Sequence, residues 1–270
     1  MITSQSEETL WRIQMALQAA GEVFRRFTPG EIAAEYKAGH DPVTEADRQI
    51  DAVLRQELLR DQEGWLSEET ADDRTRLARR RVWLVDPLDG TREFVAGIPE
   101  FCTSVAMVEN GRPVAGGIYN PATNETFLGS LGSGVTYNGK PTKPSQRSDL
   151  NGAMVLASRS EVARGDWKRF EDAGFKIRPV GSVAYKLALV SAGMADATFT
   201  LVPKHEWDVA AGAALVESSG GFVTTPDAGP LRCNQPDPLL KGLIACGRGI
   251  ADKLIARLGV GAIGSRPDPP

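Results

Sequence analysis

Apolar residues recur with a helical period over residues 7–27, where Leu10, Ile13, Leu17, Ala20 and Phe24 share a face and Thr28-Pro29-Gly30 ends the run. A second stripe, Ile50, Val53, Leu54 and Leu58, predicts an amphipathic helix that starts after Thr44. The charged residues 72–81 read as a solvated linker or short helix, and lead into Val82-Trp83-Leu84-Val85, a short buried strand. Residues 103–108 and 114–119 flank Glu109-Asn110-Gly111, a hairpin signal. Short strands follow at 126–128 and 135–137, with a tight turn at Asn138-Gly139.

Around residues 140–149 the chain turns polar and carries proline, which places a boundary near residue 150. Beyond it the pattern alternates: strand 154–157, helix 166–173, strand 177–180, helix 183–192, strand 197–201, helix 209–218. Such alternation predicts helices packed on sheets. The chain is thus expected to form two halves, 1–150 and 151–263, with residues 264–270 (GSRPDPP) as a disordered tail.

Length and charge narrow the function. At 270 residues the chain has room for one or two domains, and 41% hydrophobic with 24% charged residues is ordinary for a globular protein. A net charge of −4 gives no global attraction to nucleic acid or anionic lipid. No apolar run approaches the roughly 18–20 residues that span a bilayer. The start, MITSQSEETLWRIQ, is too polar for a signal peptide, so a cytoplasmic location is expected. Cys102, Cys233 and Cys246 are odd in number and far apart, and read as buried thiols. With only His40 and His205, a tri-histidine zinc site is impossible; HExxH and GxSxG motifs are absent. Metal chemistry here would use a hard cation and oxygen ligands.

Four acidic elements are candidates for it. In Asp86-Pro87-Leu88-Asp89-Gly90-Thr91 a strand enters a sharp turn with two carboxylates three positions apart. Brought together, they repel unless a cation lies between them, and the Leu88 carbonyl can add a further oxygen for Mg²⁺. The plain alternative is a turn that uses Asp and Gly for their conformation. Ser67-Glu68-Glu69-Thr70, placed after a helix, reads equally as solvated charge. Thr44 is a natural helix N-cap with Asp47 at the reciprocal capping position, and Asp208 of Glu206-Trp207-Asp208 also stands at a helix start.

The order of these elements resembles the inositol monophosphatase family of Mg²⁺-dependent, lithium-sensitive phosphatases. The family pattern D-x-V-T-x-x-D, G-E-E, W-x-[IV]-D-P-[IL]-D-G-T and W-D-x-A-A-G is met by DPVTEAD at 41–47, SEET at 67–70, WLVDPLDGT at 83–91 and WDVAAG at 207–212. Ser67 is the one departure, where glycine is common. The resemblance implies an α+β fold, a layered α-β-α-β-α sandwich, with the active site between the halves. It implies two or three Mg²⁺ ions. Glu68, Asp86, the Leu88 carbonyl and Asp89 would hold the first, and Asp86, Asp89 and Asp208 the second. A water would be the nucleophile, oriented and deprotonated by Thr91 and Asp47, with Glu69 assisting; two cations clamp the in-line displacement. Lys37 resembles a mobile-loop lysine that helps hold a further metal or water.

By the same resemblance, the backbone N–H groups of Gly90 and Thr91 would cradle phosphate. Ser158, Gly181, Ser182, Lys186 and Asp208 fall at substrate contacts; turn and cap chemistry is the alternative for Ser158 and Ser182, and an exposed helix lysine for Lys186. Inositol-specific members carry a glutamate where this chain has Thr200-Leu201. Asp89-Gly-Thr-Arg-Glu-Phe94, Lys186, Glu206-Trp207-Asp208 and Asn234-Gln-Pro-Asp-Pro238 are instead similar to bacterial 3′(2′),5′-bisphosphate nucleotidases. This favours 3′-phosphoadenosine 5′-phosphate over inositol 1-phosphate, with histidinol or sugar phosphates behind. Lys186, Arg159 or Arg92 would then meet the second phosphate. An RNA- or polymerase-associated regulatory role, known for some relatives, is disfavoured by the acidic balance and the intact acidic array. The family is commonly dimeric, so a homodimer is expected.

Overall fold

A computed structural model describes residues 2–36 and 42–260. Helices α1 (Ile2–Phe24) and α2 (Glu45–Leu58) cover one face of a seven-stranded sheet. Its strands are β1 (Gly64–Ser67), β2 (Arg81–Asp89), β3 (Cys102–Glu109), β4 (Arg112–Asn120), β5 (Glu125–Ser130), β6 (Gly134–Tyr137) and β7 (Lys140–Thr142), in that spatial order. The β1–β2 pair is parallel and the rest are antiparallel. Short helix α3 (Thr91–Val95) leaves the end of β2.

The second half begins with β8 (Met154–Ser158) and α4 (Arg159–Arg164), then β9 (Lys176–Val180), α5 (Val183–Ser191), β10 (Ala197–Thr200), α6 (Glu206–Ser218), β11 (Phe222–Thr224), β12 (Leu243–Cys246) and α7 (Ala251–Leu258). These strands form a five-stranded sheet in the order β9-β8-β10-β12-β11. Helices α5 and α6 lie between the two sheets, in a core that mixes Leu84, Ala106 and Phe127 of the first half with Leu187, Leu215 and Leu243 of the second. Trp167, Phe170, Leu254 and Ile255 close the far side of the second sheet. The layers are α-β-α-β-α, as the family resemblance implied.

Both middle helices are apolar nearly all round, because each is covered on two sides. Their fit is tight. A Cβ on Gly116 would lie 2.4 Å from the Ala211 carbonyl oxygen, and one on Gly212 would lie 2.3 Å from the Leu187 Cβ. Gly212→Ala should therefore destabilise the protein by about 1–3 kcal/mol despite alanine's better helix propensity, read as a lower urea midpoint at unchanged m.

Several sequence expectations shift. Helix α1 runs over Ile2–Phe24 instead of 7–27. No helix spans 166–173: α4 ends at Gly165 (φ +84°), and only a 3₁₀ turn, Lys168–Phe170, follows, enough for Trp167 and Phe170 to reach the core. Glu68 follows strand β1, not a helix; four residues, Gly-Trp-Leu-Ser, are too few to show alternation. Helix α6 starts at Glu206 instead of 209, with His205 as its cap and Asp208 inside the first turn. All three cysteines are buried free thiols. No described helix is long and apolar enough to cross a membrane. Lys37 and the tail 264–270 lie outside the described residues.

Candidate active site

In a regular strand, residues three apart face opposite sides of the sheet. Strand β2 avoids this. Asp86 pairs with Ser104 and Asp89 with Cys102, so the register shifts between them. This bulge turns the two aspartates toward one end of the sheet. Gly90, at φ +96°, ends the strand, and its hydrogen faces the Glu100 carbonyl where a Cβ would lie 2.9 Å away. Thr91 then opens α3.

Each aspartate of the site gives one oxygen to the fold. Asp47 Oδ2 accepts the Thr44 N–H at 2.7 Å and the Thr44 hydroxyl at 2.6 Å, completing the capping box of α2. Asp208 Oδ2 accepts the His205 N–H at 3.0 Å. Asp86 Oδ1 accepts the Leu88 N–H at 3.0 Å. Asp89 Oδ2 accepts the Ser182 hydroxyl at 2.7 Å and the Ala184 N–H at 2.6 Å. The capping and turn readings thus engage one oxygen of each of these side chains. At Asp47 the second oxygen is seen at work: Oδ1 lies 3.2 Å from the Thr91 hydroxyl, which also reaches the Leu88 carbonyl at 2.9 Å.

Glu68, Asp86 and Asp208 converge, each offering an oxygen within 4.8 Å of the others. They come from the end of β1, the bulge of β2 and the start of α6. Burial pushes Asp86 well above the usual carboxylate range, and Glu68, Asp89, Asp208 and Asp47 push it further. Burial does the same to Asp208, helped by Asp89 and Glu68. Such a set is costly without a cation, and its donors are all hard oxygens, so it fits a divalent ion of the Mg²⁺ type. Asp89 stands beside this trio rather than within it, because its bonds to Ser182 and Ala184 draw it toward the second half. A cleft of about 470 Å³ opens beside Glu68, walled by Thr70, Arg74, Trp207 and Pro236. A larger groove of about 890 Å³, between α1 and strands β4–β6, holds none of these acidic residues.

The other sequence candidates are distributed as follows. Glu69 neighbours Glu68, and its N–H donates to the Ser67 hydroxyl at 3.3 Å. Ser158 ends β8, paired with Val180, and its hydroxyl lies 3.0 Å from that of Ser160. Gly181 and Ser182 form the turn before α5; the Ser182 hydroxyl holds Asp89 from the other half, while the Gly181 N–H donates to Glu100 at 2.7 Å. Lys186 is not the exposed helix lysine that was the alternative to a substrate contact: it is buried, and its ammonium donates to the Ser182 and Val180 carbonyls at 2.6 and 3.3 Å. Burial pulls its pKa down, while Asp89 draws it up. Arg159 is likewise engaged, donating to Glu100.

Residues to which the sequence reading gave no role of their own support the site. Asp51, on α2, accepts the Ser67 hydroxyl at 2.5 Å and the Thr70 hydroxyl at 2.7 Å, pinning the loop that carries Glu68. The departure from glycine at 67 therefore adds an anchor. Asp51 lies one helical turn after Asp47, and that spacing was its only signal. Buried Glu206 accepts the Asn234 and Gln235 N–H groups at 2.6 and 3.0 Å, and burial pushes its pKa up to about 7. Glu161 reaches Thr200 at 2.7 Å and Lys204 at 3.4 Å, so a carboxylate does approach the strand end that has no acidic residue in sequence.

The inositol monophosphatase family model matches residues 5–260. The chain belongs to that family. Family members are phosphomonoester hydrolases acting on small phosphorylated substrates. The chain is 33% identical over 249 residues to an inositol-1-monophosphatase of Rhizobium meliloti, covering 87% of this chain and 89% of that protein. An inositol monophosphatase from Anabaena superposes with a TM-score of 0.77 at 29% identity, over 94% of this chain and 96% of the other. CysQ from Bacteroides thetaiotaomicron, a bacterial member of the family, gives 0.74 at 27% identity, over 89% and 97%.

Proposed function

We propose that this chain is a Mg²⁺-dependent phosphatase of small, singly phosphorylated polyols, of which inositol 1-phosphate is the best representative. The observation that carries the reading is the trio Glu68, Asp86 and Asp208 set beside the Thr91–Asp47 pair. Glu68, Asp86 and Asp208, with Asp89 and the Leu88 carbonyl alongside, would hold the cations. Bound there, Mg²⁺ offsets the charge of the phosphoryl oxygens and lowers the pKa of water. The N–H groups of Gly90 and Thr91 would orient the phosphate at the start of α3. A water donating to Thr91 Oγ1 can pass its proton on to Asp47 Oδ1, whose affinity for protons burial raises.

The preference for a single phosphate follows from the occupied cations. Of Lys186, Arg159 and Arg92, the candidates for the second phosphate of a bisphosphate nucleotide, the first is bonded to the Ser182 and Val180 carbonyls and the second to Glu100. One observation favours the nucleotidase reading: burial raises the pKa of both Asp89 and Asp208, and among the charges that oppose this is Lys204, 18% exposed and 3.4 Å from Glu161, which therefore stands near the site. A phosphate-release panel with Mg²⁺ decides. Inositol 1-phosphate should exceed adenosine 3′,5′-bisphosphate in kcat/KM by tenfold or more, about 1.4 kcal/mol. The reverse order, lost in Lys204→Met, would establish the nucleotidase. No turnover on either, or on histidinol phosphate, would favour the regulatory role.

A further inference from the structure

Lys186 is a buried charge with no part in the chemistry above. Its helix, Val-Ala-Tyr-Lys-Leu-Ala-Leu-Val-Ser, is otherwise almost wholly apolar, and Lys186 is 4% exposed. Burying an ammonium is unfavourable unless bonds compensate it. Here the bonds go back to the turn that starts the helix: the Ser182 carbonyl at 2.6 Å and the Val180 carbonyl at 3.3 Å.

That turn is unusual. Ser182 has φ +55° and ψ 128°, a conformation disfavoured for any residue with a Cβ and kept only where surroundings enforce it. Its neighbour Gly181 donates its N–H to Glu100 Oε2 at 2.7 Å, and Arg159 donates to the same oxygen. The turn is therefore gripped from two sides, a carboxylate on an N–H and an ammonium on a carbonyl. What it delivers is the Ser182 hydroxyl and the Ala184 N–H, both onto Asp89 Oδ2. Asp89 and Glu100 belong to the first half of the chain, and residues 180–186 to the second.

We propose that Lys186 is a positioning residue: it holds the Ser182 turn in its strained form and thereby aims the Asp89 carboxylate at the cation site. Asp89's relation to a cation rests on the function proposed above. Groups that orient a ligand without touching the metal change affinity or activity by about 10–100-fold when removed.

The test uses Lys186→Met, Ser182→Ala and the double variant of the full chain. Three readouts are taken: Mn²⁺ affinity by calorimetry, amide exchange of residues 181–186 in metal-free protein, and kcat and KM at saturating Mg²⁺. Lys186→Met should weaken Mn²⁺ binding about tenfold, speed exchange at Ala184, and lower kcat about tenfold with KM within about twofold. Ser182→Ala should do the same. The double variant should be no more than about threefold worse than either single change, since both act through one carboxylate. Glu100→Ala should reproduce the loss from the opposite side, and Glu100→Gln, which can still accept the Gly181 N–H, should restore it; this pair serves if Lys186→Met fails to fold. Additive losses, or a lower Tm with unchanged Mn²⁺ affinity and exchange, would overturn the proposal. So would a KM rise confined to a bisphosphate substrate, which would make Lys186 a substrate contact. If the wild-type chain hydrolyses no phosphomonoester, the proposed function fails, while the metal and exchange readouts still judge Lys186.

Discussion

Asp86→Asn is expected to lower kcat/KM by about 10³-fold or more, and at the same time to make the metal-free protein more resistant to heat at pH 8. The first effect follows from removing the charge at the centre of the carboxylate trio, which forfeits several kcal/mol of electrostatic stabilisation of the phosphoryl group. The second follows from linkage. In the folded, metal-free chain the Asp86 pKa is raised well above its ordinary value by burial and by four neighbouring carboxylates. A raised carboxyl pKa means that the folded state binds the proton more tightly than the unfolded state. Its contribution to stability is complete below the unfolded pKa of about 3.9 and is lost as pH rises toward the folded pKa. Asparagine keeps the acceptor for the Leu88 N–H and does not titrate. Melting curves in chelator should show the wild type losing stability from pH 4 to 8 more steeply than the variant. Added Mg²⁺ should raise the wild-type Tm at pH 8 and leave the variant nearly unmoved. Equal pH slopes would mean that Asp86 carries no such strain.

Asp47→Asn should separate the two oxygens of one side chain. The amide oxygen can still accept from Thr44, so helix α2 keeps its cap; asparagine caps about as well as aspartate, and stability should change by less than about 1 kcal/mol. Its NH₂ then faces Thr91 and cannot take a proton. A fall in kcat of about 10²–10⁴-fold is expected, with KM little altered. Activity within threefold of wild type would reduce Asp47 to a capping residue.

Several of the residues that the fold brings together stood out in the sequence, for reasons particular to each. Asp86 and Asp89 stand out because Pro87 and Gly90 read as a turn at a strand end; in the structure both lie within β2, which Gly90 ends, and the bulge between them depends on pairing with β3 and leaves no local trace. Thr44 and Asp47 are legible as a cap because capping is local. The contact between Asp47 and Thr91 joins residues 44 positions apart and needed the fold. The alternative of an exposed lysine at 186 rested on residue type, and the helix pattern already spoke against it: a helix apolar on every side has no exposed face on which to put a lysine. The layer order came from the family resemblance, with which the strand–helix alternation was only compatible. The strand before Glu68 was too short to show any period.

The division of labour within each aspartate has a consequence for how such a chain can change over time. On the proposed function, replacing one oxygen of Asp47 by nitrogen would silence the chemistry and leave the helix start, the layers and the cleft in place. A lineage could lose turnover in a single step and still inherit an intact shell, ready to serve as a passive binder. On that reading, shape and activity are separable by one atom.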